Sequence, residues 1–138
     1  MPFITNDKGK EQVDIFYEDY GSGKPIILIH GWPLSRKSWE QQVWKIVKSG
    51  FRCISYDRRG FGISSSPWGD YDYSSLASDL KTLIDGLDLN DVTIVGFSMG
   101  GRVSTAFAGR HPERLAGLVL VDIGPELDVR GTSRIGKE

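Results

Sequence analysis

The sequence has few of the residues on which disulfide and metal chemistry depend. Its single cysteine, Cys53, has no partner for an internal disulfide and reads as a small buried apolar side chain. Two histidines, His30 and His111, fall short of the ligand set of a protein-built zinc site, so no metal is expected. An excess of one charge is missing too. Lys and Arg number 17 against 18 Asp and Glu, a net charge of −1, which leaves no basic footprint for nucleic acid or anionic lipid. No apolar run approaches the ~18 residues of a membrane span. The segment from Met1 to Lys8 lacks a basic stretch leading into an apolar one, so no signal peptide is expected and the protein is read as cytoplasmic. Glycine, by contrast, is plentiful at 17 of 138 residues, and its positions carry much of the argument.

Short apolar runs alternate with helical periodicity. Val13 to Tyr20 reads as a strand or hairpin arm, ended by Gly21-Ser22-Gly23-Lys24-Pro25. Ile26 to Ile29 is a continuous apolar run, as in a strand buried on both faces. A helix follows with Ser38 as its cap, Gln41 completing a capping box, and Trp39, Val43, Ile46 and Val47 on one face; Gly50 ends it. Phe51 to Tyr56 is a strand, and residues 63–72 form a loop. Leu76, Leu80, Leu83, Ile84 and Leu87 mark a helix over about 75–87. Val92 to Val95 is a buried strand, Met99 to Arg110 a helix stopped by His111-Pro112, and Leu115 to Val121 another buried strand. The tail from Asp122, including 123–138, reads as a loop. This order predicts an α/β protein with a mostly parallel, doubly wound sheet in a single domain.

Two motifs carry chemistry. Gly96-Phe97-Ser98-Met99-Gly100 matches G-x-S-x-G in the strand-turn-helix context that the motif requires. Side chains at Gly96 or Gly100 would collide with the neighbouring strand and helix, while Ser98 is lifted off the sheet at the positive end of a helix. His30-Gly31-Trp32-Pro33 follows the first buried strand directly. Gly31 allows a sharp turn that exposes the Trp32 N–H, and the Met99 N–H is the natural second donor to an oxyanion. His30 is expected to hold this loop by hydrogen bonds rather than to act as a base. Two other patterns fail. Gly131 to Lys137 imitates a phosphate loop, but Glu138 stands where Ser or Thr is needed, and Gly60-Phe61-Gly62 lacks a third glycine.

Four segments together resemble the N-terminal half of an α/β-hydrolase: His30 to Pro33, Tyr56 to Gly62, Gly96 to Gly101, and Arg110 to Leu115. Between His30 and Gly100 the likeness is to the cofactor-free haloperoxidase and arylesterase-like branch, and from Gly101 onward the helix looks more like a general esterase or epoxide-hydrolase relative. The resemblance implies Ser98 as nucleophile, Trp32 and Met99 as oxyanion donors, and a structural role for the Asp57-to-Gly62 turn. It implies hydrolysis of small esters through an acyl-Ser98 intermediate, perhydrolysis as a side reaction, and no metal or organic cofactor. It also implies that residues 1–138 are the N-terminal part of one domain, lacking late strands and cap, with 123–138 leading towards the cap. The expected chain order is Ser, acid, His. After Ser98 the only histidine is His111, at the far end of a helix, so a histidine base is expected to be missing. Asp122 is a candidate orienting acid, more simply read as a loop carboxylate. The sheet's open edge is expected to promote self-association. The competing reading is a non-catalytic ligand-binding sensor or interaction protein on the same fold, which would have no need of a strained serine turn.

Overall fold

The structure is a computed structural model that describes residues 2–32 and 34–121. Asp122, the 123–138 loop and the imitation phosphate loop lie outside the described residues. The strands are β1 (Phe3–Asn6), β2 (Val13–Tyr20), β3 (Pro25–Ile29), β4 (Arg52–Tyr56), β5 (Val92–Phe97) and β6 (Leu115–Val121). The helices are α1 (Glu40–Lys48), α2 (Tyr73–Gly86) and α3 (Met99–Arg110). One mixed sheet runs β1-β2-β4-β3-β5-β6, with β1 and β2 antiparallel and the remainder parallel. Among the described residues no helix is long and apolar enough to cross a membrane.

The connections explain the layers. From β3 the chain moves one way along the sheet to β4, and from β4 and β5 it moves the other way. Right-handed crossovers in opposite directions put their helices on opposite faces. Accordingly, α2 and α3 pack together over Ile27, Ile29, Ile54 and Ile94, whereas α1 covers Leu28 and Cys53 on the other face. Cys53 is a free thiol in that smaller cluster, and burial pushes its pKa up to about 11.

Several expectations are corrected. The strand β1 has too short an apolar pattern to be read from sequence; it forms because β2 pairs with it and Phe3 meets Phe16 edge-on at 5.4 Å. Ser38 does not cap α1. Ser35 accepts from the Lys37 N–H and starts a 3-10 turn, Arg36–Trp39, in which the Ser38 hydroxyl donates to the Ser35 carbonyl. The turn is fixed from outside, because the Arg36 N–H and guanidinium both bond the Asp57 carboxylate. Helix α2 starts at Tyr73, two residues before the expected start, with Asp72 as its cap. The largest correction concerns β6. It pairs with β5 on one side and is the outermost strand among the described residues, with Leu118, Val119, Leu120 and Val121 all exposed. The apolar run reads as buried throughout, but only its start, Leu115, packs against the core.

Two buried ion pairs fasten the turn after β4. Arg59 meets Asp79 of α2 through Nε–Oδ2 and Nη2–Oδ1 bonds of 2.6 and 2.7 Å, and Asn6 of β1 adds a third bond to Asp79. Asp79→Ala would leave the Arg59 charge buried and unpaired, so a loss of about 3–5 kcal/mol is expected. Urea unfolding checks this, and Asp79→Leu combined with Arg59→Met should recover most of the loss.

Candidate active site

The C-terminal ends of β3 and β5 lie side by side, and the chain leaves them in opposite directions. That crevice is where open α/β sheets take ligands. Gly31 follows one strand end and Ser98 the other. Ser98 has φ 55° and ψ −116°, a backbone conformation that costs a non-glycine residue about 1–3 kcal/mol. Surrounding groups over-determine it. The Ser98 N–H donates to the Val121 carbonyl at 2.9 Å, and the Gly101 N–H donates to the Ser98 carbonyl at 2.9 Å.

The glycines of the motif are contact points between backbones. A Cβ on Gly96 would lie 2.6 Å from the Gly100 carbonyl oxygen and 2.7 Å from the Gly101 Cα. One on Gly100 would run into the Ile29 carbonyl and lie 2.7 Å from that of His30. One on Gly31 would meet the Ser98 Cβ and the Phe97 carbonyl oxygen, each at 3.0 Å. Strand β3, its following turn and the start of α3 therefore touch through backbone, which fixes the Gly31 turn against Ser98.

Trp32 and Met99 open onto one cavity of about 410 Å³, shared with Arg58, Gly60, Phe61, Ser66, Tyr71 and Leu76. A turn closed by the Leu34 N–H on the Gly31 carbonyl presents Trp32, and Met99 is the first residue of α3. Neither the Trp32 nor the Met99 main-chain N–H has an internal acceptor among the described residues. The arrangement offers a strained, half-buried serine beside two main-chain donors and the N-terminus of a helix.

Residues 24–133 match the family model described as alpha/beta hydrolase fold. The chain belongs to this family. Its relatives include the non-heme chloroperoxidase CPO-A1 of Kitasatospora aureofaciens, 43% identical over 131 residues, a match covering 94% of this chain and 46% of that protein. A bifunctional esterase/perhydrolase of Acinetobacter calcoaceticus is 37% identical over 136 residues, covering 96% and 48%. Among solved structures, a bromoperoxidase from Bacillus anthracis superposes with a TM-score of 0.81 at 46% identity, covering 86% and 43%. This hydrolase-fold chain thus spans about half the length of the curated relatives it matches.

In this hydrolase fold His30 is locked. The Arg58 N–H donates to Nε2 at 3.0 Å, so Nε2 is the acceptor and Nδ1 carries the proton. Nδ1 then donates to the Gly31 carbonyl at 2.8 Å. The ring holds the turn that carries Gly31 and Trp32 and has no free lone pair with which to take a proton. Burial, and to a lesser degree the neighbouring Arg58 charge, lower its pKa from 6.5 to about 4. Between these values the unfolded chain binds a proton that the folded chain refuses. Stability is therefore lost as pH falls from about 6.5 to 4, by about 3 kcal/mol in full, and is unaffected above this window. Urea midpoints at pH 7.5 and 4.5 should differ more in the parent chain than in His30→Gln, because carboxylate contributions are common to both.

His111 caps the opposite end of α3 from Ser98, about 20 Å along the helix axis. It lies against Phe107 at 5.1 Å and 3.8 Å from a Glu113 carboxylate oxygen. Asp57 is fully buried and holds Arg36 and the Ile63 N–H, and a side chain on Gly62 would run into it. His111 is thereby distant from Ser98, and Asp57 is taken up by these bonds. Sequence reasoning missed Arg58, Phe61 and Tyr71 as cavity walls. The signal was available for Arg58, which follows the end of β4 as Gly31 and Ser98 follow theirs.

Proposed function

We propose that residues 1–138 are the N-terminal, nucleophile-bearing part of a serine hydrolase domain that acts on small carboxylic esters. Ser98 Oγ adds to the ester carbonyl, and the oxyanion that forms is held by the Trp32 and Met99 main-chain N–H groups. Collapse expels the alcohol and leaves an acyl-Ser98. Water then releases the acid; hydrogen peroxide in place of water releases a peracid, the perhydrolase side reaction. The observation that supports this reading is the close approach of Gly31 to the strained Ser98: a Cβ on Gly31 would lie 3.0 Å from that of Ser98. The kinship with an esterase/perhydrolase supports the same chemistry.

A serine hydroxyl needs a base to attack at neutral pH. Neither His30 nor His111 is placed to serve, so the base has to come from outside the described residues. The test is a chimera of residues 1–121 with the C-terminal portion of the Acinetobacter relative. It should hydrolyse p-nitrophenyl acetate at an enzyme-like kcat of about 1 s⁻¹ or more. The 138-residue chain alone should retain at most the roughly 10³-fold enhancement over water that oxyanion donors give by themselves. A folded but inert chimera would defeat the reading. Among the described residues nothing pairs with the outer edge of β6, and Leu118 to Val121 are exposed, so the chain alone should also self-associate. Sedimentation of the purified chain should show species larger than a monomer, with a shift towards monomer in the chimera.

A further inference from the structure

Three consecutive polar residues after β4 have different fates. Asp57 is matched by Arg36, and Arg59 is matched by Asp79. Arg58 is equally buried, at 3% exposure, yet faces no carboxylate among the described residues. Its Nε–H donates to the His30 carbonyl at 3.1 Å, its guanidinium lies 4.7 Å over the Phe61 ring, and Nη2 has no hydrogen-bond partner among the described residues. Burial acts against its charge and lowers its pKa. A buried cation without a counter-ion is costly, and the cost is relieved when an anion arrives.

The position of this charge makes it functional. Arg58 lines the same cavity as Trp32 and Met99. Its bond to the His30 carbonyl sets the guanidinium over the end of β3, one strand away from β5 and Ser98. Adjacent strands are about 4.8 Å apart, so a group on Arg58 and a carbonyl over Ser98 are separated by a short spacer. The walls between them are apolar: Phe61, Tyr71, Leu76 and Met99.

We propose that Arg58 is the anion-recognition residue of this cavity, and that the preferred substrate is an ester whose acyl part carries a second, free carboxylate, a hemiester of a short dicarboxylic acid. The ester half of this statement rests on the serine hydrolase reading; the anion half does not. A guanidinium fork suits a carboxylate, and a ligand carboxylate supplies the counter-charge that the protein withholds.

Non-hydrolysable amides separate the two claims. Saturation-transfer NMR on the 138-residue chain, which works for monomer and oligomer alike, compares N-methylsuccinamate with neutral N,N′-dimethylsuccinamide. The acid should bind about ten- to a hundredfold more tightly at low salt. That preference should shrink with added salt and vanish in Arg58→Met. Arg58→Lys, which keeps a charge but loses the fork, should lie between. Equal affinity for both probes, or a preference that survives Arg58→Met, overturns the proposal. If Arg58→Met loses its cooperative melt, Arg58→Lys and the salt titration decide, and a preference that neither changes overturns it. Ester turnover by the chimera reports on the serine reading separately. An active chimera beside a chain with no acid preference sinks only the recognition claim, and an inert chimera beside a clear preference leaves that claim standing.

Discussion

Ser98→Ala in the chimera is expected to abolish ester turnover, by about 10⁶-fold in kcat, and to leave its unfolding curve unchanged. The magnitude follows from the way triads act as a unit: without the nucleophile, base and acid have nothing to activate, and only oxyanion binding remains. Stability should hold because alanine keeps the Cβ that Gly31 approaches and because both hydrogen bonds at this position are made by backbone. Hydrolysis of p-nitrophenyl acetate and urea unfolding, measured on the same preparation, check the two halves. A variant that keeps appreciable turnover would show that another group does the chemistry.

The second large effect is expected at Gly100. A methyl group there would run into the Ile29 carbonyl, and neither side of the contact is a side chain that can swing away. To accept it, α3 must lift from the end of β3, taking Ser98 and the Met99 N–H with it. Overpacking of this kind costs about 1–3 kcal/mol. The functional cost is larger, since a misplacement of about 1 Å in a catalytic group is worth about 10²-fold in rate. Gly109 provides the control on the same helix. Nothing lies within 4 Å of a Cβ there, so Gly109→Ala should stabilise the chain by about 0.5–1 kcal/mol and leave turnover alone. Equal behaviour of the two variants would remove the argument that the motif glycines are backbone contact points.

Local pattern was enough to read most of the fold. The apolar runs of β3 and β5, the leucine spacing of α2 and the serine motif between strand and helix are all local signals, and each forms the expected element. What escaped was set by distant partners. Ser35 and Ser38 both satisfy the rules for a cap, and the choice falls to Ser35 because Arg36 is drawn to Asp57, 21 residues away. The strand β1 exists through β2, and the far half of β6 is exposed because no described strand pairs with its outer edge. Of the residues in the proposed site, Ser98, Trp32 and Met99 were nameable from sequence because the motifs carry them. Arg58 was not, because a charged residue in a Gly-rich turn looks solvated. Its burial is made by His30 and Phe61, whose approach only the folded chain reveals.

The central claim is that Ser98 is the nucleophile of a hydrolase site assembled at the ends of β3 and β5. The most direct measurement is to treat the chimera with a fluorophosphonate and find the modified peptide by mass spectrometry. The account predicts one phosphonyl group, on Ser98, with loss of ester turnover in step with labelling. A chimera that hydrolyses the ester while the label falls on another residue, or on none, would contradict it.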